Sequence, residues 1–223
     1  KQKDHPLAVV LLTGAGSAFS AGADISEMRA AGAAAPEQNV ADARRFVTLL
    51  DLLERMPQPT IAVVHGAAYG GAVGLIAACD IAIAGSAARF ALSEVRLGLI
   101  PAMISPYVIR AIGARQARRY MLSGEVMDAA TAERIGLVHE IAGDAALPEA
   151  AGKLVEALLA GGPRAQVEIK ALLRHMTGRT DASDVTLQNE LAHWIARIRG
   201  SDEGREGLSA FLEKRQAKWR DPD

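Results

Sequence analysis

Short, continuous apolar runs recur along the first 85 residues, each followed by small or helix-forming residues. The runs are Leu7–Leu12, Thr60–Val64 and Asp80–Ala84. A strand in a parallel sheet is covered on both faces, so its residues form a continuous apolar run rather than an alternating one. The pattern therefore predicts three buried parallel strands.

Helix signals separate these runs. Pro36 suits a first helical turn, whereas Pro57 and Pro59 prevent continuation, so we predict a helix from about Pro36 to Arg55. A second helix of small residues is expected from about Gly71 to Ala78. The alternation of strand and helix predicts βαβ units and an α/β fold.

The last third of the chain has a helical pattern from about Leu147. Within residues 181–198 the apolar positions fall on one helical face: Leu187, Leu191, Trp194, Ile195 and Ile198. We expect a charged amphipathic helix over Asp202–Lys218. Gly161-Gly162-Pro163 is the expected boundary between the core and this helical region.

Composition excludes several classes of protein. The 223 residues suit one globular unit, and 25 Lys and Arg against 26 Asp and Glu leave no bulk basic charge for DNA, RNA or a membrane surface. The single cysteine, Cys79, excludes an intrachain disulfide and a cysteine-based zinc site. No apolar run reaches the roughly 18–20 residues that span a bilayer, and no signal-peptide pattern is present. We expect a cytoplasmic protein.

Familiar catalytic motifs are missing. Phe19 stands where a dinucleotide fingerprint beginning at Gly14 needs its third glycine, and there is no phosphate loop or Gly-x-Ser-x-Gly elbow. The five histidines lack metal-ligand spacing, and His65 is interpreted as structural. The arginines of 110–119 favour a solvated helix face over a phosphate or RNA contact: Arg110, Arg115, Arg118 and Arg119.

Two loops of tiny side chains are more specific. Ser20–Ile25 and Gly66–Gly71 both follow predicted strands, whose carboxyl ends meet at the ligand crevice of a parallel sheet. Small residues let backbone N–H groups approach a ligand, and a helix starting at Gly71 adds a positive dipole. Two such amides can form an oxyanion hole. Tight packing of helix on sheet explains the same residues equally well.

Several further segments follow the two loops in a characteristic order, and with them the set is Phe19–Ile25, His65–Gly71, Cys79–Ala84, Phe90–Pro101, Gly113, Ala132–Val138 and Glu206–Arg215. In order and spacing, over nearly the whole chain, these segments resemble the crotonase family, the enoyl-CoA hydratase/isomerase superfamily. Within it, Val64–Gly71 together with Leu92–Pro106 looks like bacterial methylglutaconyl-CoA hydratase-type proteins of leucine or acyclic terpenoid breakdown.

The resemblance implies a crotonase-like (ClpP/crotonase) spiral of βαβ units over 1–160 and a helical trimerisation region over 161–223. It implies an acyl-CoA substrate, no metal or separate cofactor, and a homotrimer or dimer of trimers. Family members usually carry a further strand and helix before the run at Leu7, so we expect that the native chain starts earlier.

By position, the amides of Ala23 and Gly71 would form the oxyanion hole for the thioester oxygen. The residues that the resemblance implies in binding the CoA substrate are Ala21, Ala23, Asp24, Ile25, Gly70, Gly71, Phe211 and Lys214. The second family glutamate corresponds to Glu94, but the first corresponds to Gly74, which has no side chain to act as a base.

A single carboxylate fits two reactions, hydration on one face of the double bond and Δ3,Δ2 double-bond isomerisation. We expect hydration first and isomerisation second, with an inactive or RNA-associated scaffold as a third alternative. Ala102 stands where dienoyl isomerases carry an aspartate, which excludes that group. Apolar neighbours predict a pocket that raises the pKa of Glu94: Leu92, Leu97, Leu99 and Ile100. Arg96 could pair with a substrate carboxylate or lie on the surface.

Overall fold

Residues 8–178 and 183–220 are described by the structure, a computed structural model. The strands are β1 (Val10–Thr13), β2 (Thr60–Val64), β3 (Ala67–Tyr69), β4 (Ile81–Gly85), β5 (Arg89–Ala91), β6 (Met127–Asp128) and β7 (Glu140–Ala142). The helices are α1 (Ile25–Ala33), α2 (Pro36–Arg55), α3 (Gly71–Ala78), α4 (Ser105–Ser123), α5 (Ala129–Arg134), α6 (Leu147–Leu159), α7 (Pro163–Met176), α8 (Val185–Arg199) and α9 (Asp202–Leu212). Short 3-10 turns cover Ser93–Leu97, Asp144–Ala146 and Lys218–Arg220.

The three predicted strands form neighbouring members of a parallel sheet of order β1-β2-β4-β7, with β1 at one edge. In its register Leu11 lies opposite Ile61, and Ile61 opposite Ile81. β2 and β4 are almost wholly buried, as their continuous apolar runs predicted. β1 begins at Val10, and Leu7 lies outside the described residues. The prediction that this run is fully buried is wrong, because β1 is an edge strand whose residues alternate between partly buried and exposed, with Leu11 49% exposed.

A second sheet, of order β3-β5-β6, was not predicted. β3 and β5 pair in parallel, and β5 pairs with β6 in the antiparallel sense. β3 falls inside the segment interpreted as a loop, because three residues are too few to show a strand pattern. Its pairing extends by one isolated bridge to Ser20.

Proline and glycine set the helix ends as expected. The predicted bounds of α2 and α3 agree with the structure. The prediction of one helix over Asp202–Lys218 is wrong, because α9 ends at Leu212. Lys214 adopts the left-handed conformation (φ 55°), and the Arg215 amide donates to the Ala210 carbonyl at 3.0 Å, which closes the helix end.

The contacts divide the chain into two compact units. One comprises residues 10–56 and 60–153 and contains both sheets; the other comprises 154–223 with 1–9 and 57–59. The change of unit falls inside α6, whereas the sequence pointed to Gly161-Gly162-Pro163. The functional division into a spiral over 1–160 and an oligomerisation region over 161–223 stays a prediction.

The first unit holds the larger apolar core, in which the biggest side chains are fully enclosed. Its members include Leu50, Val64, Val73, Ile76, Phe90, Leu92, Ile104, Val108 and Val138. In the second unit Glu168 accepts hydrogen bonds from Trp194 Nε1 (2.7 Å) and the Arg197 guanidinium (3.0 Å). Along the part of the chain that the structure describes, no helix is long and apolar enough to cross a membrane.

Candidate active site

Glu94 lies on the 3-10 turn Ser93–Leu97, directly after β5. Gly98 ends the turn in the left-handed conformation (φ 69°), and the Leu99 amide donates to the Glu94 carbonyl at 3.0 Å. The backbone that carries the carboxyl group is therefore held on both sides.

The Glu94 carboxyl group is partly withdrawn from solvent. Its Oε2 atom is buried and has no hydrogen-bond partner among residues 8–178 and 183–220. Burial raises the pKa of Glu94 above its ordinary value, and a hydrogen bond from its own backbone amide acts in the opposite direction. A carboxyl group with a raised pKa and a free acceptor atom suits proton transfer, because a higher pKa makes the carboxylate a stronger base.

The start of α3 abuts this carboxyl group. Gly70 has a φ of 57° and a ψ of −122°, and a Cβ built on it would lie 3.4 Å from Glu94 Oε1. Gly71 is the first residue of α3, so its N–H has no partner within the helix and lies at the positive end of the helix dipole. The Gly70 amide is fixed by a 2.8 Å bond to the Ala91 carbonyl.

The loop that carries Ala23 runs alongside β3. The Ser20 amide donates to the Ala67 carbonyl, and the Tyr69 amide donates to the Ser20 carbonyl, both at 3.0 Å. A Cβ built on Gly22 would lie 3.5 Å from the Tyr69 carbonyl oxygen, so the loop still follows the end of β3 one residue before Ala23. The joint position of the Ala23 and Gly71 amides in an oxyanion hole stays a prediction.

Gly74 is enclosed by Ile104, which the sequence did not reveal. A Cβ built on Gly74 would overlap Cγ2 of Ile104 and lie 2.6 Å from its Cβ. Ile104 is 2% exposed and immediately precedes α4. The position of the first family glutamate is therefore filled by a branched aliphatic side chain. Only the unusual glycine inside α3 hints at this contact in the sequence.

The other residues predicted to bind CoA are mostly exposed on the surface. Ala21, Asp24 and Ile25 are exposed, and the Asp24 carboxylate caps α1 by accepting from the amides of Ser26 (2.7 Å) and Glu27 (3.2 Å). Phe211, which is 82% exposed, and Lys214 belong to the second compact unit. The role of Phe211 and Lys214 in CoA binding stays a prediction.

The predicted apolar pocket is wrong in most of its members. Leu92 is fully buried, but Leu97, Leu99 and Ile100 are 54%, 42% and 77% exposed. Three of the four side chains predicted to line the pocket are therefore largely exposed to solvent, although the predicted direction of the Glu94 pKa shift is found.

The structure supports the non-catalytic interpretations of histidine and arginine. His65 Nε2 lies 3.1 Å from the Gly16 carbonyl, as expected of a structural histidine. Arg110 pairs with Glu54, and Arg119 pairs with Glu125, so both belong to a solvated surface. Arg96 is exposed. Within the described ranges, no cluster of three metal-ligating side chains occurs.

Comparison with known proteins decides the family. Residues 1–222 match the family model for enoyl-CoA hydratase/isomerase. The chain belongs to the enoyl-CoA hydratase/isomerase family. A crystal structure of an enoyl-CoA hydratase from Shewanella pealeana is 47% identical, with a TM-score of 0.90 over 95% of this chain and 78% of that one. An enoyl-CoA hydratase/isomerase from Marinobacter aquaeolei is 35% identical, with a TM-score of 0.87 over 96% and 83%.

An enoyl-CoA hydratase of Alternaria alternata is 32% identical over 213 residues, which are 93% of this chain and 67% of that protein. This member of the enoyl-CoA hydratase/isomerase family is therefore an enzyme with the crotonase fold, as its motifs predicted.

Proposed function

We propose that this enzyme adds water to an α,β-unsaturated acyl-CoA thioester with Glu94 as its only acid–base group. The observation that carries the proposal is the buried Glu94 carboxyl group, which has a free Oε2 and lies beside the start of α3. The amides of Ala23 and Gly71 supply the oxyanion hole.

The proposed reaction needs no group beyond these. The thioester oxygen accepts hydrogen bonds from the two amides, which draws electrons from C3. The Glu94 carboxylate takes a proton from water while the water oxygen bonds to C3, and the negative charge moves to the thioester oxygen. The protonated Glu94 then returns one proton to C2 on the same face. The net change is the gain of one water.

Substrate contacts follow from the same arrangement. The thioester end of CoA would lie along Ala21–Ile25 and Gly70–Gly71. The prediction that Phe211 and Lys214 also bind CoA rests on the family resemblance alone. Self-association as a homotrimer or a dimer of trimers is part of the proposal. The methylglutaconyl substrate stays a prediction.

Double-bond isomerisation is the second candidate, and one observation favours it. Ile104 fills the position of the first glutamate, so the wall beside Gly74 is aliphatic and offers no second base for water. One carboxylate that removes a proton from C2 and returns it to C4 would suffice for a Δ3,Δ2-isomerase.

The test is product analysis by mass spectrometry on separate reactions with crotonyl-, 3-hexenoyl- and 3-methylglutaconyl-CoA. A gain of one water that disappears in Glu94→Gln supports hydration, and its magnitude on the third substrate tests the methylglutaconyl prediction. An unchanged mass with a migrated double bond on 3-hexenoyl-CoA would establish isomerisation. No product and no thermal shift with acyl-CoA would support the inactive scaffold.

A further inference from the structure

Two contacts lie at the start of α3. Gly70 caps the helix with a non-helical backbone, and Gly74 lies four residues on, in the first turns of the helix. Gly70 faces the Glu94 carboxyl group, and Gly74 faces the side chain of Ile104. The carboxyl group and Ile104 therefore both lie against the beginning of α3.

The surroundings of Ile104 are fully packed. Ile104 is 2% exposed, Val108 on the next turn is buried, and Gly74 itself is buried. The Ile104 carbonyl accepts a 3.1 Å hydrogen bond from the Val108 amide, which ties the residue to the first turn of α4. The side chain is thus a fixed wall.

We infer that Ile104 determines acyl-chain specificity by closing the interior end of the site, so that the enzyme prefers short acyl groups. The inference rests on the proposed function, because that function places the thioester oxygen at Gly71 and the reacting carbons at Glu94. An acyl chain that continues from these carbons along α3 meets the Ile104 side chain within a few methylene groups.

The test compares kcat/KM for crotonyl-CoA and trans-2-octenoyl-CoA in wild type, Ile104→Ala and Ile104→Val. A hydrophobic pocket discriminates about 10-fold or more per methylene group at its boundary. We expect Ile104→Ala to raise the octenoyl-to-crotonyl ratio by at least about 10-fold, with Ile104→Val between it and wild type. If Ile104→Ala does not fold, the ratio measured for Ile104→Val decides the test.

Ile112→Ala is the matched control. Ile112 is buried on α4 (6% exposed), undergoes the same truncation and does not contact Gly74. Its ratio should stay within about twofold of wild type, because a general loss of packing affects both substrates alike. If the octenoyl-to-crotonyl ratio of kcat/KM is the same in the Ile104 and Ile112 variants, the inference is wrong, whereas the proposed function is unaffected. A wild type that hydrates neither substrate would overturn both.

Discussion

Gly74→Ala tests the packing of Ile104 directly. Alanine is favoured over glycine inside a helix by about 0.5–1 kcal/mol. Here the added methyl group would overlap the Ile104 side chain, and overpacking a core costs about 1–3 kcal/mol. The overlap involves two atoms of a nearly inaccessible residue, so we take the upper end and expect a net loss of about 2 kcal/mol. For a chain of this size that corresponds to a fall in Tm of about 4–8 °C.

The effect of Gly74→Ala on stability should change from destabilising to stabilising when Ile104 is replaced by alanine. Ile104→Ala alone is expected to cost about 2–5 kcal/mol through the cavity it leaves. In that background the methyl group of Gly74→Ala enters empty space, so the helix preference remains and the substitution stabilises by about 0.5–1 kcal/mol. The four proteins of this double-mutant cycle should therefore show a coupling of about 2–3 kcal/mol.

The assay is urea denaturation of the four proteins at one protein concentration, supported by thermal melts. Gly152→Ala is the control, because Gly152 lies within α6 and a Cβ built on it meets nothing within 4 Å. It should stabilise by about 0.5–1 kcal/mol. A Gly74→Ala protein that behaves like this control, or that loses the same stability in both backgrounds, would refute the packing argument.

Three further predictions concern ionisable and glycine positions. Glu94→Gln should lower kcat by at least about 100-fold yet raise Tm at neutral pH, since the raised pKa means that ionisation favours the unfolded chain. This stabilisation should fade as the pH falls toward the unfolded pKa of about 4.3, which melts at several pH values would show. Hydrogen bonds from Arg215 and the Lys218 amide lower the pKa of Glu206 to about 2, so Glu206→Gln should lower Tm at neutral pH. The difference in Tm between wild type and Glu206→Gln should shrink as the pH is lowered from about 4.3 toward 2. A difference in Tm that stays constant over this range would contradict the prediction. Gly70→Ala should lower kcat even at temperatures well below its Tm, where the variant is fully folded. The reason is that an alanine is strained at a φ of 57° and displaces the amide beside Glu94.

Features with local causes could be predicted from the sequence. The bounds of α2 follow from Pro36 and Pro57, and the buried strands follow from their apolar runs. β3 could not be predicted, because three residues gain strand structure only through β5 and Ser20. The end of α9 depends on the left-handed Lys214, a conformation that glycine rather than lysine signals.

In the candidate active site, too, some features could be predicted from the sequence and others depend on tertiary contacts. Spacing located the two small-residue loops, but only the family resemblance singled out Glu94, since one carboxylate among 26 acidic residues carries no mark of its own. The burial of that carboxylate was assigned to four apolar side chains, of which Leu92 is buried but Leu97, Leu99 and Ile100 are exposed. The contact of Gly74 with Ile104 joins two elements whose docking no sequence pattern describes.

The short pairing at Ser20 has a consequence for how the enzyme loses activity. Three backbone hydrogen bonds attach the loop of Ala23 to the segment before α3: Phe19 to His65 at 2.8 Å, Ser20 to Ala67 at 3.0 Å and Tyr69 to Ser20 at 3.0 Å. Each contributes only about 1 kcal/mol in water, so this segment can detach while the parallel sheet of β2 and β4 stays intact. Warming should therefore separate the Ala23 and Gly71 amides of the proposed oxyanion hole. The enzyme should then lose activity at temperatures where hydrogen exchange in β2 and β4 is still slow.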